Sequence, residues 1–319
     1  MNTAQTLLIP FSEYSDSSII PEFNTSTFFE KNTHYMSKPC ISSKKIVPLH
    51  IGNKHPSIFH MKHTLIYCVI ALSLLVSCNS STQSKNQETI VGIELPQLTS
   101  QESEQIIQHT AMTISYNLKW NIPNWVAYTL TSAKTTGEYG RKNKFYPDPN
   151  IKHNPVVTQD YSNSGYDRGH MAPAADMKWS EQAMLESFYT TNICPQNPNL
   201  NRGDWNDLEE MARDWANKYD SIHIACGPIF GDCFDAIGTE RRIVVPQFFF
   251  KVFLRQKPNG EWTSIGFVMP NTETSRPIMT YMMTIDEIEQ MAEIDFFYQL
   301  PDEIEEKVES DYNISDWTV

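Results

Sequence analysis

The chain has 319 residues and a formal net charge of −13 at pH 7, with 40 % hydrophobic and 12 % aromatic residues. This apolar content is typical of globular proteins and excludes a mainly disordered or fibrous chain. The acidic balance argues against nucleic-acid binding across the whole surface, because neutralising phosphates requires Lys and Arg. It remains compatible with a local cationic groove, which is all that an enzyme acting on a polyanion needs.

Residues 61–78 have the pattern of a secretory signal and read MKHTLIYCVIALSLLVSC. A short cationic start precedes an apolar run, which is shorter than the ~20 residues of a membrane-spanning helix. The end of the run resembles the lipobox of bacterial lipoproteins, in which the cysteine is lipidated. We therefore predict lipidation at Cys78 and an exported protein anchored to a membrane of the bacterial cell envelope. The alternative is a plain hydrophobic anchor.

The position of this signal determines the predicted domain organisation. A signal peptide works only at the N-terminus, so residues 1–60 are predicted to be absent from the mature protein because the start is over-long. Residues 79–105 begin with a polar stretch that has nothing to bury and are predicted to form a flexible tether. Globular patterning then predicts one domain over residues 106–310 and a C-terminal tail over residues 311–319.

The domain contains long strand patterns and separate helix patterns. Strands are predicted where β-branched and aromatic residues cluster, and helices where apolar residues recur every three or four positions. This mixture favours an α+β fold over a doubly wound sheet. The predicted strands cover residues 125–130, 222–226, 243–254 and 262–269, and the predicted helices cover residues 180–188, a segment that follows Asp204, and residues 285–292.

Residues 166–173, which read YDRGHMAP, contain the first candidate catalytic group. The imidazole of His170 can accept a proton near neutral pH, although a lone histidine is more often a buried structural residue. Its neighbours favour a function, because Arg168 brings a cation that can meet phosphate and Gly169 permits a tight backbone path.

Residues 191–209 form a second polar group and read TNICPQNPNLNRGDWNDLE. By composition alone they predict a long loop, in which Asp204 caps the helix that follows. Taken with the first group, however, they closely resemble the DNA/RNA non-specific endonuclease family in motif order and internal spacing. Weaker similarity extends from about residue 116 to residue 300. The resemblance implies an antiparallel sheet core flanked by helices, with a ββα-metal finger active site.

The resemblance also implies roles for individual residues. His170 would be the general base, Asn201 the protein ligand to Mg²⁺, Asn192 a supporting polar residue, and Glu209 an acidic partner of the metal-bound waters. Mg²⁺ prefers oxygen ligands and keeps several waters, and Mn²⁺ is an alternative. If Asn201 and Glu209 lay on one helix they would be about 12 Å apart along its axis, so they could not both bind one ion directly.

The family uses an arginine upstream of the histidine to hold phosphate, and here the match is looser. Residues 140–149 read GRKNKFYPDP and form the densest cationic cluster of the chain. Arg141 is the candidate, with Lys142 and Lys144 as substitutes. The alternative is a solvated basic turn.

These features predict an endonuclease that cuts DNA and RNA without sequence preference. A second hypothesis is a surface lipoprotein that binds nucleic acid or other polyanions without cutting them. A third hypothesis, a zinc site built from His223 and the nearby cysteines, is disfavoured because the spacing does not match the usual ligand pairs. Cys226 and Cys233 flank a turn-rich stretch that could bring them together in an oxidising compartment.

Overall fold

The computed structural model describes residues 90–100, 103–231 and 235–318. The predicted signal with Cys78, residues 1–60 and Cys233 lie outside the described residues. The strands are β1 Gln97–Leu98, β2 Gln105–Gln108, β3 Thr113–Asn117, β4 Ile122–Thr131, β5 Asp167–His170, β6 Ile193–Gln196, β7 Ser221–Ile229, β8 Ala236–Ile237, β9 Ile243–Val244, β10 Phe248–Gln256, β11 Trp262–Pro270, β12 Met282–Met283 and β13 Ile294–Asp295.

The α-helices are α1 Glu181–Glu186, α2 Pro198–Arg202, α3 Asp204–Tyr219, α4 Ile285–Ala292 and α5 Asp302–Ser310. No helix within the described ranges is both long and apolar enough to cross a membrane. Helix α4 has the predicted bounds, and Ser180 accepts a hydrogen bond from the backbone N–H of Ala183, as expected of the cap of α1. Asp204 does not cap α3, because its carboxylate accepts a hydrogen bond from the Tyr281 hydroxyl at 2.6 Å.

The centre of the fold is a seven-stranded sheet with the order β12-β11-β10-β7-β4-β3-β2, in which all neighbours are antiparallel. This confirms the predicted α+β class with an antiparallel core. The strand predicted over residues 243–254 divides into β9 and β10. Pro246 lies at the division, where its missing N–H would interrupt a continuous ladder.

Side chains alternate across this sheet and form two cores. Val126 and Tyr128 face the first core, which also contains α3 and which we call the finger-side core. Trp125 and Ala127 face the second core, the far-side core, against which α4 and α5 pack. The alternation follows from the two-residue period of a strand, and it makes the protein a layered structure with helices on both faces of the sheet.

The domain extends beyond its predicted limits at both ends. Ile93 is 1 % exposed within the far-side core, so the predicted tether is wrong for the described residues around it. Trp317 is fully buried in the finger-side core, so the predicted C-terminal tail is also wrong. Its ring packs edge to face on Trp215, and its indole N–H donates to the backbone oxygen of Ser264 at 3.1 Å. A single aromatic residue without periodic neighbours gave no sign of this packing.

We expect Trp317→Ala to lower the free energy of unfolding by about 3–5 kcal/mol, because it removes a buried indole and leaves a cavity. Urea unfolding followed by fluorescence measures this change. Tyr298→Ala is the matched control, since Tyr298 is 42 % exposed and its loss is expected to cost no more than about 0.5 kcal/mol. Equal losses in the two variants would contradict the role of Trp317 in the core.

Candidate active site

Strands β5 and β6 pair antiparallel and helix α2 follows β6 almost directly, which gives a ββα unit. His170 ends β5 and lies opposite Ile193. Gly169 lies opposite Cys194, and a Cβ at Gly169 would come 2.6 Å from Cβ of Gln196, which cannot swing away as the end of that side chain could. Glycine is therefore required beside the histidine. This unit agrees with the ββα finger that the resemblance implies.

The chain turns sharply between α2 and α3 at Gly203. A Cβ there would lie 2.7 Å from the backbone oxygen of Asn199, so only glycine permits the close approach. The turn separates Asn201 on α2 from Glu209 on α3. The separation expected for two residues on one helix therefore does not apply to Asn201 and Glu209. Both residues line the same cavity.

This cavity has a volume of about 310 Å³. It contains four of the predicted residues, together with two polar residues to which the sequence assigned no role. Asn206 precedes Glu209 by three positions on α3, so helical spacing could have identified it. The lining residues are Arg141, His170, Pro173, Ala174, Asn201, Arg202, Asn206 and Glu209.

His170 is 6 % exposed, and its imidazole packs against two aromatic rings that also contact each other. The ring centroids of Phe145 and Phe188 lie 5.3 Å and 4.9 Å away. Its Nε2 is buried and has no hydrogen-bond partner in the described part of the chain. Burial and then the charge of Arg141 lower the pKa of His170 to about 3. The ring is therefore neutral at neutral pH.

The Asn201 side chain is oriented by an acidic partner. Its Nδ2 donates to Oδ2 of Asp167 at 2.9 Å, and Arg202 donates to both carboxylate oxygens of Asp167 at 2.8 Å and 2.7 Å. Partial burial raises the pKa of Asp167, but the hydrogen bonds from Arg202 and Asn201 outweigh it and hold this pKa below its usual value. With the amide nitrogen engaged, Oδ1 is the atom of Asn201 left for a cation.

Glu209 lies between the cavity and a buried lysine. The Glu209 side chain is 12 % exposed, and its Oε1 lies 3.8 Å from Nζ of Lys251. Lys251 is fully buried, with its ammonium 4.4 Å from the ring centroid of Trp205. Burial raises the pKa of Glu209 to about 7, while the charge of Lys251 opposes this rise. Glu209 therefore changes charge near neutral pH.

Asn192 has a supporting position and does not line the cavity. Its Nδ2 donates to the backbone oxygens of Ala172 and Ser187, and its Oδ1 accepts from the backbone N–H of Ala172, all at 2.9 Å. The residue is fully buried, so these bonds account for its side chain. Asn192 thus holds the backbone two residues after His170 and has no direct access to a substrate.

The two predicted substrate-binding cations, Arg168 and Lys142, lie outside the cavity lining. Arg168 stacks 5.7 Å from the ring centroids of Phe145 and Tyr161 and donates to the backbone oxygen of Thr158 at 3.0 Å. These contacts engage part of its guanidinium within the protein, and its contact with phosphate stays a prediction.

Lys142 forms an ion pair with Glu181, at 3.5 Å from Nζ to Oε1. Its contact with substrate stays a prediction. Lys144 is exposed and also lies outside the cavity lining. Arg141 is the member of the basic cluster that lines the cavity, and its guanidinium lies 5.3 Å from the ring centroid of Phe188.

The cavity suits a hard divalent cation, because the Asn201 amide and the Glu209 carboxylate both offer oxygen. The zinc hypothesis fails in the described residues. The thiol of Cys226 is buried against the backbone oxygen of Met171 at 3.3 Å, and Nδ1 of His223 hydrogen-bonds to the Thr129 hydroxyl at 2.9 Å. The cysteines and histidines described form no cluster able to hold a metal ion.

Comparison with known proteins agrees with this geometry. The model of the DNA/RNA non-specific endonuclease family matches residues 93–303. Mitochondrial nuclease EXOG of Xenopus laevis is 36 % identical over 219 residues, which cover 64 % of this chain and 60 % of that protein. Mitochondrial endonuclease G of Bos taurus is 29 % identical, covering 58 % of this chain and 67 % of that protein. The chain therefore spans about three fifths of the frog relative.

A solved structure also matches the fold. The crystal structure of an EndoG/EndoGI complex contains a chain that is 28 % identical, with a TM-score of 0.59. The match covers 63 % of this chain and 89 % of that chain.

The names of the relatives contradict the predicted location. EXOG of Xenopus laevis, endonuclease G of Bos taurus and nuclease 1 of Schizosaccharomyces pombe are all mitochondrial. The prediction of an exported, lipid-anchored protein of the bacterial cell envelope is therefore wrong. A cationic start and a short apolar run indicate a targeting segment, but this pattern alone does not determine the destination.

The family match covers more than half of the chain, and the ββα unit and its cavity lie within the matched residues. The chain belongs to the DNA/RNA non-specific endonuclease family.

Proposed function

We propose that the chain is a divalent-cation-dependent endonuclease that hydrolyses phosphodiester bonds of DNA and RNA without sequence preference. Mg²⁺ is the proposed cation and Mn²⁺ an alternative. One observation carries the proposal: the buried His170, with an unpartnered Nε2, shares a cavity with Asn201, Glu209 and Arg141. The names of the relatives, which are nucleases, support the same activity.

Two arginines supply the positive charge that an acidic chain needs at its substrate site. Arg141 and Arg202 line the cavity, and the Arg202 side chain is 70 % exposed even though it pairs with Asp167. Guanidinium groups bind phosphate oxygens, and contacts to phosphate carry no base identity. Recognition through these residues would be independent of sequence.

His170 acts as the general base in this proposal. Its ring is neutral and borders the cavity, so the imidazole can take the proton of the water that attacks phosphorus. Arg141 favours the neutral ring and can hold a non-bridging phosphate oxygen. Glu209, as a carboxylate, accepts a hydrogen bond from water in the cavity and orients it. A divalent cation held by Oδ1 of Asn201 would supply positive charge that stabilises the leaving oxygen.

Replacing His170 with Ala is expected to lower the single-turnover cleavage rate by about 10²–10⁴-fold, because the base is lost. Nucleic-acid affinity should stay near that of wild type, since Arg141 and Arg202 remain. Cleavage, affinity and thermal unfolding are measured in one buffer. The control is His153→Ala, which removes an exposed histidine.

Cleavage by His170→Ala within a few fold of wild type would assign His170 a structural role and overturn the mechanism. Wild-type protein that binds nucleic acid but cuts neither DNA nor RNA with any divalent cation would instead support the polyanion-binding hypothesis.

Asn201→Ala should lower turnover by orders of magnitude and raise the Mg²⁺ concentration needed for half-maximal activity, because the cation loses its amide ligand. Activity measured across a Mg²⁺ titration checks both effects. Asn199→Ala is the matched control, since Asn199 is an exposed asparagine on the same helix. Full wild-type activity in excess chelator would contradict the cation requirement.

Lys251→Met tests the charge of Glu209 through the pH profile. Lys251 favours the Glu209 carboxylate, so removing its charge raises the pKa of Glu209 further. As the pH falls, Glu209 then becomes protonated at a higher pH than in wild type. The acid limb of the pH profile of kcat/KM is therefore expected to move to higher pH. Glu209→Gln should abolish this limb. If the acid limb of Lys251→Met stays at the wild-type pH and the variant melts normally, Lys251 does not control the ionisation of Glu209.

A further inference from the structure

Three carboxylates meet between α4 and α5 on the far side of the sheet. Asp286 and Glu289 are three residues apart on α4 and share one face of that helix, while Glu309 lies near the end of α5. One oxygen from each lies within 4.8 Å of the others. The two helices pack on the far-side core through Ile288 and Val308, whereas the cavity lies on the opposite face of the sheet.

Glu309 is the member that indicates a ligand. It is 6 % exposed, yet its Oε1 is buried without a hydrogen-bond partner among the described residues. An isolated buried carboxylate is costly unless a cation or a proton neutralises it. The cluster therefore contains a buried carboxylate oxygen that no described group satisfies.

The backbone holds these carboxylates in place. Glu289 accepts a hydrogen bond from the backbone N–H of Phe296 through Oε1 at 2.7 Å, which leaves its other oxygen for a ligand. The residue before Glu309, Val308, accepts a hydrogen bond from the Ser264 hydroxyl, which joins α5 to the sheet. The position is thus fixed from both helices before any ion binds.

We propose that Asp286, Glu289 and Glu309 bind one Ca²⁺ ion that joins α4 to α5. Asp286 is exposed, so water can reach the ion from its side and complete the six to eight oxygen ligands that Ca²⁺ takes. The ion neutralises the cluster and replaces the missing partner of Glu309.

The chemistry of the ligands favours Ca²⁺ over other ions. Ca²⁺ takes several protein carboxylates in a flexible geometry, and three carboxylates meet here. Mg²⁺ keeps several of its waters in a near-ideal octahedron and is usually held by only one or two carboxylates. The ligands are all oxygens, whereas zinc favours nitrogen and sulfur. Asp295 and Glu305 lie close enough to add further negative charge.

Thermal unfolding of the full chain in chelator, in CaCl₂ and in MgCl₂ tests the site. At a free calcium concentration about 100 times Kd, the melting temperature of wild type should rise by about 5 °C or more. This rise should disappear in Glu309→Gln and in Asp286→Asn. It should persist in Glu306→Gln, which removes an exposed acid on α5, and in Asn201→Ala, which alters only the cavity on the other face.

Isothermal titration with CaCl₂ provides the direct measurement. One calcium site is expected in Asn201→Ala and none at that affinity in Glu309→Gln. If Glu309→Gln does not fold, Asp286→Asn decides, because Asp286 is exposed. A calcium response that is unchanged in Asp286→Asn, lost in Asn201→Ala or equalled by MgCl₂ would overturn the proposal. So would a melt that responds to pH but not to calcium, since a proton would then neutralise the cluster.

Discussion

The burial of one imidazole is the constraint on which the site depends. His170 is buried beside Phe145 and Phe188, and this burial disfavours its charged form, so the ring stays neutral. Such a ring must be positioned by the backbone, because its Nε2 has no partner to orient it. The short strand pair supplies that rigidity through the required Gly169. Asn192 adds three hydrogen bonds to the chain around the histidine. The burial of His170 and the rigid backbone around it therefore work together: one keeps the ring neutral and the other fixes its position.

The charge around the cavity differs in sign from the net charge of the chain. The net charge is −13, yet the cavity is lined by Arg141 and Arg202 and has a buried Lys251 behind Glu209. A buried cation acts through a medium that screens it weakly, so one lysine affects Glu209 more than many surface acids do. Overall composition therefore limits the class of protein, but it does not predict the electrostatic potential at the cavity.

Features that depend on neighbouring residues in the sequence were predicted better than features that depend on contacts between distant segments. Helix α4 matched its predicted bounds because Thr284 and Glu287 form a capping box at its start. The motif spacing led to His170, Asn201 and Glu209, and the basic cluster led to Arg141; the structure brings these four residues to one cavity. Lys251 could not be predicted, since it lies within an otherwise apolar strand and gains its role only when β10 packs beneath α3. The contacts of Arg168 could not be predicted either, because its aromatic and backbone partners come from other segments.

Helix α3 connects two regions that are distant from each other in the sequence. Glu209 lies at the cavity, and Trp215, about 9 Å further along the same axis, carries the ring of Trp317. The Trp215 indole also donates to the backbone oxygen of Trp317 at 2.6 Å. The packing of Trp317 therefore supports the same helix that places Glu209 at the cavity. Residues near the end of the described chain thus contribute to the active site through the position of one helix and without any direct contact to it.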